Sequence, residues 1–116
     1  MSQVFDFEQR TLLFSQNIIS TTKGIIKNTS NNVIVVQLIR SATSIGANYL
    51  EAGDSLGKKD FLLRMKIARK EAKETIYWLK LLINSNHTPI PELKILLNES
   101  IELKKILSSM INNSLK

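Results

Sequence analysis

Cysteine is absent from the 116 residues, histidine and tryptophan occur once each, proline twice and glycine four times. Without thiols there is no disulfide framework and no thiolate metal site. Few Gly and Pro, and no long polar low-complexity tract, argue against a disordered chain. No apolar block of ~20 residues stands out as a membrane span. The start, Met1-Ser-Gln-Val-Phe-Asp-Phe-Glu8, has no basic segment followed by an apolar run, so no signal peptide is expected. These absences together fit a cytoplasmic, prokaryotic protein.

Catalytic signatures are missing too. There is no Gly-rich phosphate loop, no Gly-x-Ser-x-Gly elbow and no zinc-type spacing. A di-iron bundle needs Glu-x-x-His pairs, and Glu71-Ala-Lys-Glu74 supplies Glu where His belongs. Glu51 with Asp54, and Glu71 with Glu74, have the spacing of acid/base pairs. Each has Arg or Lys within helical reach and no nucleophile beside it, which favours structural ion pairing. His87 lies in the turn Asn84-Ser-Asn-His-Thr-Pro89 and is expected to play no chemical role. The expectation is a protein that is not an enzyme, with no cofactor, no metal and no catalytic residue.

What is present is helical rhythm. With 43% apolar residues, a chain of this length forms one domain, residues 1–116, burying roughly two-thirds of its unfolded surface. Phe7, Thr11, Phe14, Ile18, Thr21 and Ile25 step by three and four, with Leu12, Ile19 and Ile26 widening the stripe. Lys27-Asn-Thr-Ser-Asn-Asn32 is a turn with several capping residues. Val35, Leu38, Ala42, Ile45, Tyr49 and Ala52 mark a second helix, ended near Gly53-Asp-Ser-Leu-Gly57. A heptad follows, Phe61, Met65, Ala68, Ala72, Thr75, Leu79 and Leu82. After a break, Pro89 or Pro91 suits the first turn of a fourth helix carrying Leu93, Leu96, Ser100, Leu103, Leu107 and Met110. The fold class is all-α: an antiparallel up-down-up-down four-helix bundle with helices about 6–27, 31–54, 58–85 and 91–114.

The second and third helices carry polar lines beside their apolar stripes. On the second these are Gln37, Ser41, Ser44, Asn48 and Glu51; on the third, Asp60, Arg64, Ile67, Glu71, Glu74 and Trp78. Folding the hairpin about residues 55 to 57 brings Arg40 to Glu71 or Glu74, and Glu51 to Arg64, as half-buried ion pairs that set register more than they stabilise. Ala42, Gly46 and Ala47 allow a second backbone to come close, and Gly46 inside a helix implies a packing reason. Arg40, Ser41, Ser44, Gly46, Asn48, Glu51, Arg64, Glu71, Glu74 and Trp78 are therefore the expected structural and oligomer seam.

These residues also carry a resemblance. Arg40-Ser-Ala-Thr-Ser-Ile-Gly-Ala-Asn-Tyr-Leu-Glu-Ala52, Lys59-Asp-Phe61, Ile67-Ala68 and Lys70-Glu-Ala-Lys-Glu-Thr-Ile-Tyr-Trp-Leu79 look like the signature of the bacterial four-helix-bundle proteins, also called the 23S rRNA-intervening sequence proteins. The chain is similar, too, to the accessory variability determinant protein of diversity-generating retroelements, a basic pentamer that binds nucleic acid and a reverse transcriptase. The resemblance implies an up-down bundle assembled as a homopentameric ring. Residues 54–57, Asp-Ser-Leu-Gly, are a weaker version of the family's basic, serine-rich connection.

The charge of +6 is unevenly placed. Residues 1–57 are neutral, while residues 58–80 hold eight bases against Asp60, Glu71 and Glu74. On the third helix Lys59, Lys66, Lys70, Lys73 and Lys80 fall away from the heptad core, with Tyr77 among them and Arg69 at the flank. A Lys-rich helix exterior is often no more than a solvated face; clustered cations also bind phosphates without sequence preference. Repetition in a ring of five brings the formal charge to about +30, which favours polyanions. One aromatic in the stripe gives little stacking platform, and Tyr77 and Trp78 read as packing residues. Membrane binding is not expected, because the core needs the apolar faces. The sequence thus points to a homo-oligomer that binds RNA or DNA through Lys59, Lys66, Arg69, Lys70, Lys73 and Lys80. The alternative is an adaptor for a protein such as a reverse transcriptase.

Overall fold

Helix α1 spans Gln3–Lys23, α2 Thr29–Gly53, α3 Lys58–Ser85 and α4 Pro91–Leu115. The computed structural model describes residues 3–116, with side chains described from Phe7 onward. Each helix packs on its neighbours in sequence and α4 returns to α1, while the diagonal pairs stay apart among the described residues. That is the expected up-down-up-down bundle, 46 × 28 × 20 Å. The α2–α3 contact is the most extensive and α1–α4 the least.

Local chemistry sets the ends. The first helix stops at Lys23 and not at residue 27, because the chain tightens there. Gly24 and Ile25 donate their N–H groups to the carbonyls of Thr21 and Thr22 at 3.1 and 3.2 Å, and Ile25 turns into the core. Asn28 caps α2 through its side-chain oxygen, which accepts from the Asn31 N–H at 2.8 Å. Gly57, with φ +134, sits just before α3 in a conformation that favours glycine. Leu56 N–H donates to Asp60 Oδ2 in the same turn. Pro91 opens α4.

The core is built from the periodic residues. Phe14, Ile18, Leu38, Ile45, Met65, Leu79, Leu82, Leu93, Leu103, Leu107 and Ile111 are buried from all four helices, each stabilising by roughly 1.5–3 kcal/mol relative to exposure. Register in detail differs at three positions. Thr22 is buried and Thr21 only half so, with Thr22 Oγ1 donating to the Ile18 carbonyl at 2.8 Å. Ile111, not Met110, completes the α4 stripe, and Phe61 is half-buried. Leu12, Ile19 and Ile26 do not widen the α1 core stripe but lie exposed. By length and composition α2 is apolar enough to cross a membrane, contrary to the even spread expected, and 22% of its most apolar stretch is buried in the bundle.

One end of the bundle is held by a polar clasp. Asn31, 1% exposed, donates from Nδ2 to the Ile26 carbonyl at 2.9 Å and to Asn86 Oδ1 at 3.0 Å. Its Oδ1 accepts from Ser85 Oγ at 2.9 Å. One buried amide therefore ties both interhelical connections at that end, fully satisfied as burial requires.

Candidate nucleic-acid interface

Helix α3 gives one side to the core through Met65, Ala68, Ala72, Thr75, Leu79 and Leu82, and at 3.6 residues per turn the opposite side carries Lys59, Lys66, Lys70, Lys73 and Lys80. All five are exposed, and Arg69 on the flank is half-buried. Among the described residues none of the six lies within ion-pair distance of a carboxylate. Twenty-one residues of rise spread these cations over roughly 30 Å. Their charge is not spent inside the molecule.

The stripe is not a smooth ridge. Lys66, Arg69, Lys70, Lys73, Glu74, Tyr77 and Trp78 line a shallow groove of about 450 Å³. Tyr77, 58% exposed, meets Trp78 edge to face, with ring centroids 5.1 Å apart at 76°. The indole Nε1 of Trp78 is buried and has no hydrogen-bond partner. A second hollow of about 680 Å³ lies toward the α2–α3 turn, lined by Leu56, Gly57, Lys58, Lys59, Asp60, Leu62, Leu63 and Lys66. Lys66 belongs to both, so the two depressions adjoin.

Behind this face runs the polar seam of α2 and α3. Arg40 reaches both expected carboxylates, with Nη2 2.7 Å from Glu74 Oε1 and Nη1 3.4 Å from Glu71 Oε1. Glu71 is nearly buried, and its Oε1 gains the charge of Arg40 without a well-aligned hydrogen bond. Between the helices Ser41 Oγ and Thr75 Oγ1 lie 2.9 Å apart in full burial, with Thr75 also donating to the Glu71 carbonyl at 2.8 Å. Ser44 and Asn48 bond back to carbonyls of their own helix, at Arg40 and Ser44. The pair expected between Glu51 and Arg64 does not form. Glu51 is exposed near the end of α2, where a hydrated carboxylate gains little from closing an ion pair.

Gly46 has its packing reason inside the subunit. A Cβ there would stand 3.0 Å from Thr11 Oγ1 and 3.2 Å from Thr11 Cβ, so it is α1 that comes close. Ala42 is buried in the same core. Of the three small residues expected to receive another backbone, only Ala47 is open to solvent.

Exposed apolar side chains lie along the outside of α1 and α2. Leu12 and Ile19 follow one another seven residues apart on α1, 56% and 40% exposed, and Ile26, 71% exposed, follows in the connection to α2. At about 100° per residue this row faces the α2 side of α1, the side on which Thr11 meets Gly46. Val36, Ala47 and Leu50 of α2 are exposed on its outer side.

Among the described residues no three His, Asp or Glu side chains gather, and His87 is exposed in the α3–α4 connection. Sequence reasoning missed the Arg10–Glu99 pair of α1 and α4, whose hydrogen bond raises the Arg10 pKa above its ordinary value against the opposing effect of burial. It also missed that Trp78 turns toward the cationic groove, although Trp78 follows Tyr77 and lies one turn from Glu74.

The model of the 23S rRNA-intervening sequence proteins matches residues 4–109. Among solved structures, a protein of unknown function from the S23 ribosomal protein family of Bacteroides thetaiotaomicron VPI-5482 is 36% identical. It covers 90% of this chain and 97% of its own, with a TM-score of 0.82. No curated protein matches the chain.

Proposed function

This chain belongs to the 23S rRNA-intervening sequence protein family, and from that premise we propose that it is a non-enzymatic homo-oligomer, a ring of five, which binds RNA or another nucleic acid through the basic outer face of α3. The observation that supports this reading is the row Lys59, Lys66, Lys70, Lys73 and Lys80, exposed and unpaired among the described residues over one helix face. Lysines held away from carboxylates keep counterions that a polyphosphate displaces, and release of those counterions drives association. The exposed apolar side chains of α1 and α2, Leu12, Ile19, Val36 and Leu50, support self-assembly, since exposed apolar surface gains from burial between copies. Copies of one face in a ring then act together.

A filter-binding titration with RNA and DNA at two salt concentrations tests it. With about five phosphates neutralised, affinity falls roughly 10²-fold between 50 and 200 mM salt. Replacing Lys66, Lys70 and Lys73 by Glu abolishes binding. Absence of binding at low salt removes this function and leaves the adaptor reading, in which the bundle holds a protein such as a reverse transcriptase and its charge serves solubility.

A further inference from the structure

Building on the nucleic-acid reading, we infer that the groove beside Trp78 takes one unpaired base of a single strand, so that the protein prefers single-stranded to duplex nucleic acid. The lining is mixed in a way that a phosphate site is not. Lys66, Lys70 and Lys73, one turn apart, line it as a lysine rim together with Glu74, whose carboxylate is anchored by Arg40. A carboxylate repels a phosphate but accepts hydrogen bonds from base amino and imino groups. Phosphates on the lysine rim and a base against Glu74 satisfy both signs of charge.

The aromatic pair supplies the rest. Tyr77 offers an exposed ring, held at 76° to Trp78, and stacking on such a ring is tolerant of base identity. The Trp78 N–H, buried without an acceptor, is an uncompensated donor. A base carbonyl brought to the groove as the indole adjusts gives it a partner. A duplex keeps its bases stacked and paired, so it meets the lysine rim alone.

Trp78 is the sole tryptophan, so its emission reports on this groove in the unmodified protein. Titration with a single-stranded RNA, the matching single-stranded DNA, the RNA duplex and inorganic polyphosphate separates the alternatives. Quenching by both single strands and none by polyphosphate is expected, with Tyr77→Ala lowering single-strand affinity about 10-fold, to the level of the duplex. Trp78→Phe, which keeps an aromatic side chain but is smaller and lacks the N–H, lowers single-strand affinity several-fold. Equal affinity for strand and duplex with unchanged Trp78 emission overturns the inference while leaving the function proposed above intact. Failure of every nucleic acid to bind overturns both. Quenching by polyphosphate equal to that by RNA makes the groove a phosphate site and overturns the base assignment.

Discussion

Arg10 on α1 grips Glu99 on α4 through two parallel hydrogen bonds, Nε to Oε2 at 2.6 Å and Nη2 to Oε1 at 2.8 Å. The pair spans 89 residues of sequence and lies at the least extensive helix contact of the bundle. A planar fork on a carboxylate fixes two helices in azimuth as well as distance.

Because the pair is partly open to solvent, with side chains 40% and 28% exposed, its contribution is modest. Glu99→Gln is expected to cost about 1 kcal/mol in urea unfolding at low salt. That difference should shrink in 1 M salt. An equal loss at both ionic strengths would mean that packing, not charge, is what the substitution disturbs.

Gly46→Ala tests the close approach of α1 and α2. In an open helix the change stabilises by about 1 kcal/mol. Here the new methyl lies 3.0 and 3.2 Å from atoms of Thr11, a buried, β-branched side chain whose hydroxyl is bonded to the Glu8 carbonyl. Overpacking of this kind costs ~1–3 kcal/mol, so the net effect is a loss of stability. Thr11→Ala in the same chain should recover part of it, and a melting temperature above wild type for Gly46→Ala alone would refute the tight contact.

Self-association is addressed by charge placed on the exposed apolar rows. Ile19→Glu with Val36→Glu alters two side chains that are 40% and 65% exposed in the single chain, so the bundle should keep its helical circular dichroism. Light scattering of wild type is expected to give a multiple of the chain mass, and of the double variant a single chain. A wild-type mass of one chain would remove the ring, and with it the multivalent part of the binding argument.

Tyr49 predicts an alkaline limit. Its ring stands edge-on to Phe7 at 4.7 Å, and burial, aided by the charge of Glu8, raises the phenol pKa above its ordinary 10.0. Above pH 10 the unfolded chain gives up this proton before the folded one does. The contribution is therefore complete below that pH and is lost as pH rises through the folded-state pKa. Tyr49→Phe should show a flatter fall in stability above pH 10 than wild type, measured by urea midpoints across that range.

The helix layout was legible because three-and-four spacing of apolar residues is a local signal, and each of the four periods lay within one helix apart from Ile25, just past the end of α1. The Arg40 partners were legible for a related reason. A hairpin of two long helices with a short turn fixes which residues stand level. The same arithmetic placed Glu51 level with Arg64 and failed, since height along a hairpin says nothing about whether an exposed carboxylate leaves water. Arg10–Glu99 was out of reach because α1 and α4 are not joined by a short turn, so no register could be counted. Leu12, Ile19 and Ile26 have the rhythm of a core row, and rhythm alone does not distinguish an inner face from an outer one. The lysine stripe was readable residue by residue, whereas the groove beside Trp78 depends on where an indole and a phenol turn.

The Asn31 clasp gives the bundle a polarity. At its pole both connections, after α1 and after α3, are stitched to one buried amide. The other pole holds the α2–α3 turn with Leu56, 97% exposed, the beginning of α1 and the end of α4. Because α1 begins and α4 ends at that second pole, anything joined to either helix end there stands away from the stitched end.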